Sequence, residues 1–167
     1  TMLGGGFGRR AVSDFVVEAV EVSKAIGAPV QLLWSCEDDM RHGRFRDASV
    51  QRLRADVNDS GLPTAWWHRV ASTTDGPVDK GRPPFVPIMG ATDSPYSHAA
   101  ELIDWVGVTT PIPFGIWRSV GYSYTALAIE YFIDEYAERV LVDPLEHRLR
   151  LLHSASRLRA CLERVAA

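Results

Sequence analysis

Apolar residues spaced three or four apart predict an amphipathic helix from Asp14 to Ile26. Gly27 is a typical C-terminal stop, and Pro29 prevents the helix from continuing. The run of large apolar residues that follows, Pro29–Ser35, predicts a largely buried strand. With Thr1–Leu3 as the end of an earlier strand, we expect the chain to open with a βαβ-like unit.

A β-hairpin is predicted next. Polar and apolar residues alternate from Ala48 to Val57, Asn58–Gly61 has the composition of a turn, and Leu62–Ser72 continues as a second strand. Successive side chains of a strand point to opposite faces, so Trp66 and Trp67 are expected on different faces of the sheet. Packing in a core or an interface explains them better than a role as aromatic platforms for a substrate.

Residues 73–116 are predicted to form an irregular, exposed connection. Asp75-Gly76-Pro77 and Arg82-Pro83-Pro84 interrupt any regular element in this segment. His98 is isolated there, and we interpret it as a surface or locally hydrogen-bonded histidine.

Three helices are predicted in the last third of the chain. The first covers about 123–138, and its residues available for burial are Leu127, Ile129, Phe132, Ile133, Tyr136 and Val140. Asp143-Pro144 is a strong helix start, because Asp caps and Pro suits the first helical position. Helices over 144–152 and 157–165 are expected to form a hairpin whose solvated face carries His147 and His153.

These patterns together indicate a mixed α/β (α+β) fold in one partial domain, residues 1–167. Its parts are a glycine-rich loop, helix, strands and hairpin (1–72), the irregular connection (73–116), and an arginine loop with helices (117–167). A strand pattern is present at the first residues and a helical pattern at the last. We therefore expect the chain to be a piece of a longer protein.

Composition argues against several classes of function. A net charge of -3 without a Lys/Arg cluster provides no footprint for nucleic acid, and no apolar run reaches the roughly 20 residues of a membrane helix. Cys36 and Cys161 are far apart, which argues against a disulfide framework, structural zinc or a cysteine-held iron–sulfur cluster. The compartment stays open between cytoplasm and bacterial periplasm, since an export signal would lie upstream of Thr1.

No metal ligand is assigned. Asp38 and Asp39 lie four and three residues before His42 in a predicted short helix, 37–43, so these side chains share a helix face. Two ligands on one turn do not make a metal site, and solvated capping charges explain the spacing.

A glycine-rich loop, Leu3–Arg10, precedes the first helix. Its four glycines let backbone N–H groups approach a ligand closely, and a helix N-terminus follows. Arg9 and Arg10 add donors that suit a phosphate. The loop therefore predicts an anion site, with a tight structural turn and solvated arginines as the alternative.

A second loop, Arg118–Gly121, has a similar content. It combines an arginine, a hydroxyl and a glycine immediately before the predicted long helix. Two such loops in one domain favour a phosphate-bearing cofactor held between them.

Known nucleotide-binding motifs do not fit the first loop. A Gly-x-Gly-x-x-Gly fingerprint counted from Gly4 places Arg9 at the third glycine, and Glu37 is later than the usual acidic residue. No Gly-Lys-Ser/Thr follows, which excludes a Walker loop. A nicotinamide-dependent oxidoreductase remains a hypothesis, and titration with nicotinamide cofactors would test it.

The string Leu3-Gly4-Gly5-Gly6-Phe7-Gly8-Arg9-Arg10 resembles the Gly-Gly-Gly-Phe-Gly loop of molybdenum hydroxylases, the xanthine dehydrogenase and aldehyde oxidase family. Within it, the chain is most similar to the molybdopterin-binding beta subunits of bacterial isoquinoline 1-oxidoreductases. The resemblance runs nearly end to end. The other segments that carry it are Gln31–Ser35, Glu37–Gly43, Ser49–Arg54, Trp117–Gly121, Ala128–Glu130, Phe132–Glu135, Asp143–Glu146 and Arg148–Leu149.

The resemblance implies a molybdopterin cofactor, in the cytosine dinucleotide form. The residues it assigns to cofactor binding are Gly5, Gly6, Phe7, Gly8, Arg9, Arg118, Ser119 and Gly121. It also implies hydroxylation of a small N-heteroaromatic compound or aldehyde, with water as oxygen source and iron–sulfur clusters on a small partner subunit. The family's catalytic glutamate lies far along a longer subunit, so no catalytic residue is assigned and the chain alone is expected to be inactive.

Some positions depart from the family pattern. Cys36 and Asp47 stand where a basic and a less acidic residue are expected, and Arg9-Arg10-Ala11 replaces the Gly-Lys-Glu of the xanthine-converting branch, which argues against a purine substrate. The alternative function is a non-catalytic remnant or interaction module that packs against a partner subunit through Trp66 and Trp67.

Overall fold

The computed structural model describes residues 4–74 and 85–167. Its helices and strands are α1 (Asp14–Ile26), α2 (Cys36–His42), β1 (Ser49–Val57), β2 (Pro63–Thr74), α3 (Phe85–Ile88), β3 (Glu101–Thr109), α4 (Tyr122–Arg139), α5 (Pro144–Leu151) and α6 (Arg157–Ala166). The chain forms two compact units: Thr1–Asp47 with Thr110–Arg118, here the first unit, and Ala48–Thr109 with Ser119–Ala167, here the second unit. Within the described ranges, no helix is long and apolar enough to cross a membrane.

The second unit is built on a three-stranded sheet in the order β1-β2-β3. β1 and β2 are antiparallel, with Leu53 opposite His68, whereas β2 and β3 are parallel, with His68 opposite Ile103. The side-chain oxygen of Asn58 closes the hairpin turn by accepting from the N–H groups of Ser60 and Leu62, at 3.0 and 2.9 Å. The predicted hairpin is confirmed.

The two adjacent tryptophans lie on opposite faces of this sheet, as predicted. Trp66 is only 2% exposed and meets the ring of Phe132 edge-on, with centroids 5.2 Å apart. Trp67 lies on the other face with the guanidinium groups of three arginines 5.2–6.0 Å from its ring centroid, namely Arg52, Arg54 and Arg69. Trp66 is therefore a core residue.

Helices α4 and α5 cover the Trp66 face. The central cluster of buried side chains is Trp66, Tyr96, Ile129, Ile133, Leu151 and Leu152. The three predicted C-terminal helices are confirmed, and the carboxylate of Asp143 caps α5 by accepting from the N–H groups of Leu145 and Glu146. Leu127, which was expected to be buried, is 72% exposed, because it lies on the side of α4 away from the sheet.

The first unit contains α1 and α2. α1 has the predicted bounds, and Gly27 ends it in the left-handed conformation at φ 70°. α2 begins with a capping box in which Ser35 and Asp38 exchange hydrogen bonds between side chain and backbone. None of the residues of these two helices is buried.

The predicted strand over Pro29–Ser35 is wrong for the described chain. These residues form no strand, and Leu32, Leu33 and Trp34 are exposed. A strand needs a neighbour to satisfy its backbone, and the described residues supply none to this segment. The second strand of the expected βαβ-like unit is therefore absent among the described residues, and its first strand, Thr1–Leu3, lies outside them.

The interpretation of 73–116 as irregular also needs correction. β2 extends to Thr74, and α3 and β3 lie within the segment, while 75–84 lie outside the described residues. The pattern of β3 was missed because Leu102, Val106 and Val108 are exposed apolar residues and thus do not alternate as in a half-buried strand.

Two histidines differ from expectation. His147 is fully buried rather than solvated, with its ring 4.6 Å from that of Tyr136. His98 stacks on Trp66 at 4.4 Å, and none of its ring nitrogens has a hydrogen-bond partner among the described residues. The local sequence around each histidine does not predict its burial, because the burial comes from other elements that pack against it.

Candidate functional site

The glycine-rich loop has a backbone that few sequences can adopt. Gly5 and Gly8 have φ angles of 150° and 99°, and Phe7 between them has φ 49°. A Cβ on Gly8 would lie 1.8 Å from the carbonyl oxygen of Ile116, so no side chain fits there. Gly8 is therefore required by a close approach of the protein's own backbone. A Cβ on Gly4 would meet nothing within 4 Å, and Gly5 is exposed.

Arg9 is held inside the protein's own ion-pair network. Its guanidinium pairs with the carboxylate of Asp14, and Arg44 donates to the same carboxylate at 3.0 Å. Partial burial alone would raise the pKa of Asp14, but the hydrogen bonds from Arg9 and Arg44 hold it below its ordinary value. Arg9 thus fixes the end of the loop to the start of α1.

The structure brings Phe7 and Arg118 together. The Arg118 guanidinium carbon lies 5.9 Å from the centroid of the Phe7 ring, and both side chains are exposed. Arg46 donates to the carbonyl of Arg118 at 2.9 Å, and the indole N–H of Trp117 donates to the carbonyl of Arg44 at 2.9 Å. Within the described ranges, no carboxylate pairs with the Arg118 guanidinium, so its charge is available to an anion.

The residues after Arg118 are strained before α4 begins. Ser119 and Val120 have φ angles of 73° and 44°, which are rare for residues with a side chain and most costly for a β-branched one. Gly121 is buried, and a Cβ there would lie 2.4 Å from the carbonyl oxygen of Val86. Packing in the second unit therefore explains the glycine at 121, while Ser119 stays exposed.

Comparison with known proteins decides the family. The family model of the molybdopterin cofactor-binding domain matches residues 1–152. The chain belongs to the molybdopterin cofactor-binding domain family. The two loops predicted to bind an anion both lie within the matched part of this domain, as do the strained residues between Arg118 and α4.

Curated relatives of this molybdopterin cofactor-binding domain come from bacterial oxidoreductases. The membrane-bound aldehyde dehydrogenase [pyrroloquinoline-quinone] of Gluconacetobacter polyoxogenes is 34% identical over 93% of this chain and 22% of its own length. The isoquinoline 1-oxidoreductase subunit beta of Brevundimonas diminuta is 29% identical over 99% of this chain and 22% of its own length. The chain thus spans about a fifth of the length of these relatives.

A solved structure has the same fold. The aldehyde oxidoreductase of Desulfovibrio gigas superposes with a TM-score of 0.78 over 98% of this chain and 20% of that chain, at 19% identity. The predicted mixed α/β fold of this domain family is therefore confirmed.

Sequence reasoning missed the residues that support the two loops. The sequence marks Asp14 only as the start of a predicted helix, and it predicts neither the contact of Arg44 with Asp14 nor that of Trp117 with Arg44. An acid at the start of a helix and an arginine after a helix-ending glycine are common, so nothing local marks them as partners. Among the described residues, no group of three or more potential metal ligands occurs.

Proposed function

We propose that this domain is part of the molybdopterin-binding subunit of a molybdenum hydroxylase, and that its two loops hold the cofactor. The residues proposed for cofactor binding are Gly5, Gly6, Phe7, Gly8, Arg9, Arg118, Ser119 and Gly121. The observation that carries the proposal is the contact between Phe7 and Arg118, because it joins the exposed glycine backbone to a guanidinium that has no carboxylate partner among the described residues. Backbone N–H groups and a guanidinium are both donors that suit an anionic cofactor.

The described residues fit a phosphate-bearing pterin. Gly4 leaves space beside the backbone and Gly5 is exposed, while Arg118 offers charge with donors in a fixed fork. Gly8 keeps the loop against 110–118, and Arg9 anchors it to Asp14, so their proposed contribution is through loop geometry and backbone N–H groups. When bound, molybdopterin supplies hydroxylation chemistry with water as the oxygen source and passes electrons onward.

The substrate class we propose is a small N-heteroaromatic compound or an aldehyde. The curated relatives support this, since one is named as an isoquinoline 1-oxidoreductase subunit and the other as an aldehyde dehydrogenase. We propose the cytosine dinucleotide form of the cofactor and a small iron–sulfur subunit as electron acceptor. The 167 residues alone are proposed to be inactive, since no residue among them is assigned as the catalytic base.

The test is the cofactor content of the protein purified at its natural length from its own host. We expect stoichiometric molybdenum and pterin, with CMP released on hydrolysis. Arg118→Ala removes a charge-assisted contact worth about 1.5–3 kcal/mol, so bound pterin should become about 10- to 100-fold weaker in affinity. Arg164→Ala, an exposed arginine of α6, is the matched control and should retain full cofactor content.

Two outcomes would contradict the proposal. Protein that carries neither molybdenum nor pterin would favour the non-catalytic interaction module, and equal cofactor content in Arg118→Ala and Arg164→Ala would remove Arg118 from the site. Substitution of Trp66 cannot test the interaction module, because Trp66 is a core residue and its loss acts on stability. Trp67, on the opposite face, is the position to substitute for that purpose.

A further inference from the structure

An open groove in the first unit is lined by apolar side chains that nothing in the described chain covers. It has a volume of about 1100 Å³ and runs between α1 and the segment 28–34. Val16 and Val20 of α1 are 49% and 59% exposed, and Leu33 on the opposite wall is 79% exposed. Contiguous apolar surface of this kind marks an interaction site in a stable protein.

Residues 29–34, which form one wall of the groove, have the sequence of a β-strand but lack its backbone hydrogen bonds among the described residues. The N–H and C=O groups of these residues make no backbone hydrogen bond among the described residues. The segment includes Val30, Leu32, Leu33 and Trp34, which favour extended backbone or apolar packing. Unpaired backbone next to an apolar groove suits the addition of a β-strand, whose backbone pairs while alternate side chains fill the groove.

Charge on the groove rim sets no strong preference for a charged occupant. Arg9 and Lys24 lie on the rim together with Glu18 and Asp39, so two positive and two negative side chains oppose each other. The pairing of Arg9 with Asp14 withdraws one of the cations. The occupant that fits is therefore an apolar strand.

The size of the relatives indicates where such a strand comes from. The matched region is 22% of each curated relative, so about four fifths of each lies outside the match. Apolar surface left open on both a helix and a strand-like segment resembles a domain core cut in half, which is typical of permanent contacts. We propose that a β-strand from the same subunit, outside these 167 residues, pairs with 30–34 and fills the groove against α1. The proposal depends on family membership and not on cofactor binding.

Hydrogen exchange of the protein at its natural length tests this directly. Amides of 30–34 should exchange at least about 100-fold more slowly than the same amides in the unfolded chain. The protection should be the same at high and low protein concentration. Protein produced without molybdenum should show it equally, which separates this proposal from the proposed function.

Other results would overturn it. Exchange of 30–34 at the unprotected rate would show that no strand covers the groove. Protection that disappears on dilution would assign the groove to a second copy, and protection that appears only when a separate subunit is added would assign it to that partner.

A substitution provides a second, independent measurement. Leu33→Asp places a charge in the proposed interface, and we expect a melting temperature at least about 5 °C lower and a reduced soluble yield. Leu141→Asp is the matched control, because Leu141 is 93% exposed in the second unit and should tolerate the charge. Equal melting temperatures for the two variants would contradict the proposal, and if Leu33→Asp does not fold, the exchange experiment on the parent decides.

Discussion

The glycines of the two loops proposed to bind the cofactor have different structural roles, which the sequence alone does not distinguish. Gly4 borders open space and a Cβ on Gly5 would lie 3.2 Å from the Phe7 ring, whereas Gly8 and Gly121 are forced by carbonyl oxygens of Ile116 and Val86. The sequence marks all of them as candidates for close approach to a ligand. Only the three-dimensional contacts separate approach to a ligand from approach to the protein itself.

Gly8→Ala should be strongly destabilising. Its Cβ would overlap the Ile116 carbonyl at 1.8 Å, and its φ of 99° disfavours a side chain, so the cost should be about 3 kcal/mol or more in unfolding free energy. Gly27→Ala is the control, since φ is 70° but nothing lies within 4 Å, and it should cost only about 1 kcal/mol. Urea unfolding monitored by circular dichroism measures both. Equal costs would mean that the Ile116 contact is relaxed at no energetic penalty.

His68 makes the stability of the second unit depend on pH. The residue is fully buried between Leu53 and Ile103, and its Nε2 lies 2.7 Å from the side-chain oxygen of Gln51. Burial lowers its pKa to about 4, although the carboxylate of Asp104 partly opposes the shift. Burial and the charges of Arg150 and Arg148 lower the pKa of His147 in the same direction.

The unfolded chain therefore binds a proton at His68 below its ordinary pKa of about 6.5, while the folded protein does not until about pH 4. The contribution of neutral His68 to the free energy of unfolding is fully present above pH 6.5. The free energy of unfolding should fall by about 3 kcal/mol as the pH decreases to 4. His68→Gln should flatten this part of the curve, whereas His153→Gln, on an exposed residue, should leave it unchanged. Unfolding free energies at intervals between pH 7 and 4 measure the slope, and an unchanged slope in His68→Gln would contradict the assignment.

At the scale of elements, α4 and α5 are joined by an ionic brace. Arg148 of α5 donates to Glu130 at 2.9 Å and to Asp134, both on α4. The hydroxyl of Tyr96 donates to the same Glu130 carboxylate at 2.8 Å. The Arg148 side chain is only 14% exposed, so its ion pairs with these carboxylates, rather than water, stabilise its positive charge.

Arg148→Met should cost about 1–2 kcal/mol in unfolding free energy, because it removes the charge-assisted hydrogen bonds of a guanidinium that is only 14% exposed, while its partners Glu130 and Asp134 are about half exposed. Arg150→Met on the same helix removes a surface pair with Glu146 and should change stability by less than about 0.5 kcal/mol. Thermal or urea unfolding compares the two. The expectation fails if both substitutions have the same small effect.

Elements with local determinants were predicted well. Gly27 marks the end of α1, and Asp143-Pro144 marks the start of α5. The turn and the alternation of polar and apolar residues specify the hairpin β1-β2. β3 and the segment 29–35 were not predicted correctly, because a strand is defined by its neighbour as much as by its residues. β3 pairs in parallel with β2, although its sequence does not alternate as in a half-buried strand. The segment 29–35 has the composition of a strand but no backbone partner among the described residues.

At the scale of the whole molecule, the two units differ in how far they bury their apolar residues. The second unit has a core around Trp66 and Ile133, whereas no residue of α1 or α2 in the first unit is buried. The chain represents about a fifth of the curated relatives' length. The uncovered groove of the first unit and the proposal of a strand from elsewhere in the subunit belong to this scale.

The sequence by itself determined the family and those helices and the hairpin that have local signals. Helix periodicity, caps and turn residues act over a few positions, and the order of motifs from the glycine loop to Asp143-Pro144 identified the domain. The tertiary structure alone decided that Phe7 meets Arg118, that Arg44 donates to Asp14, and that His68 and His147 are buried. These facts depend on residues far apart in the chain, and no local pattern records which distant side chain or backbone comes to lie beside a given position.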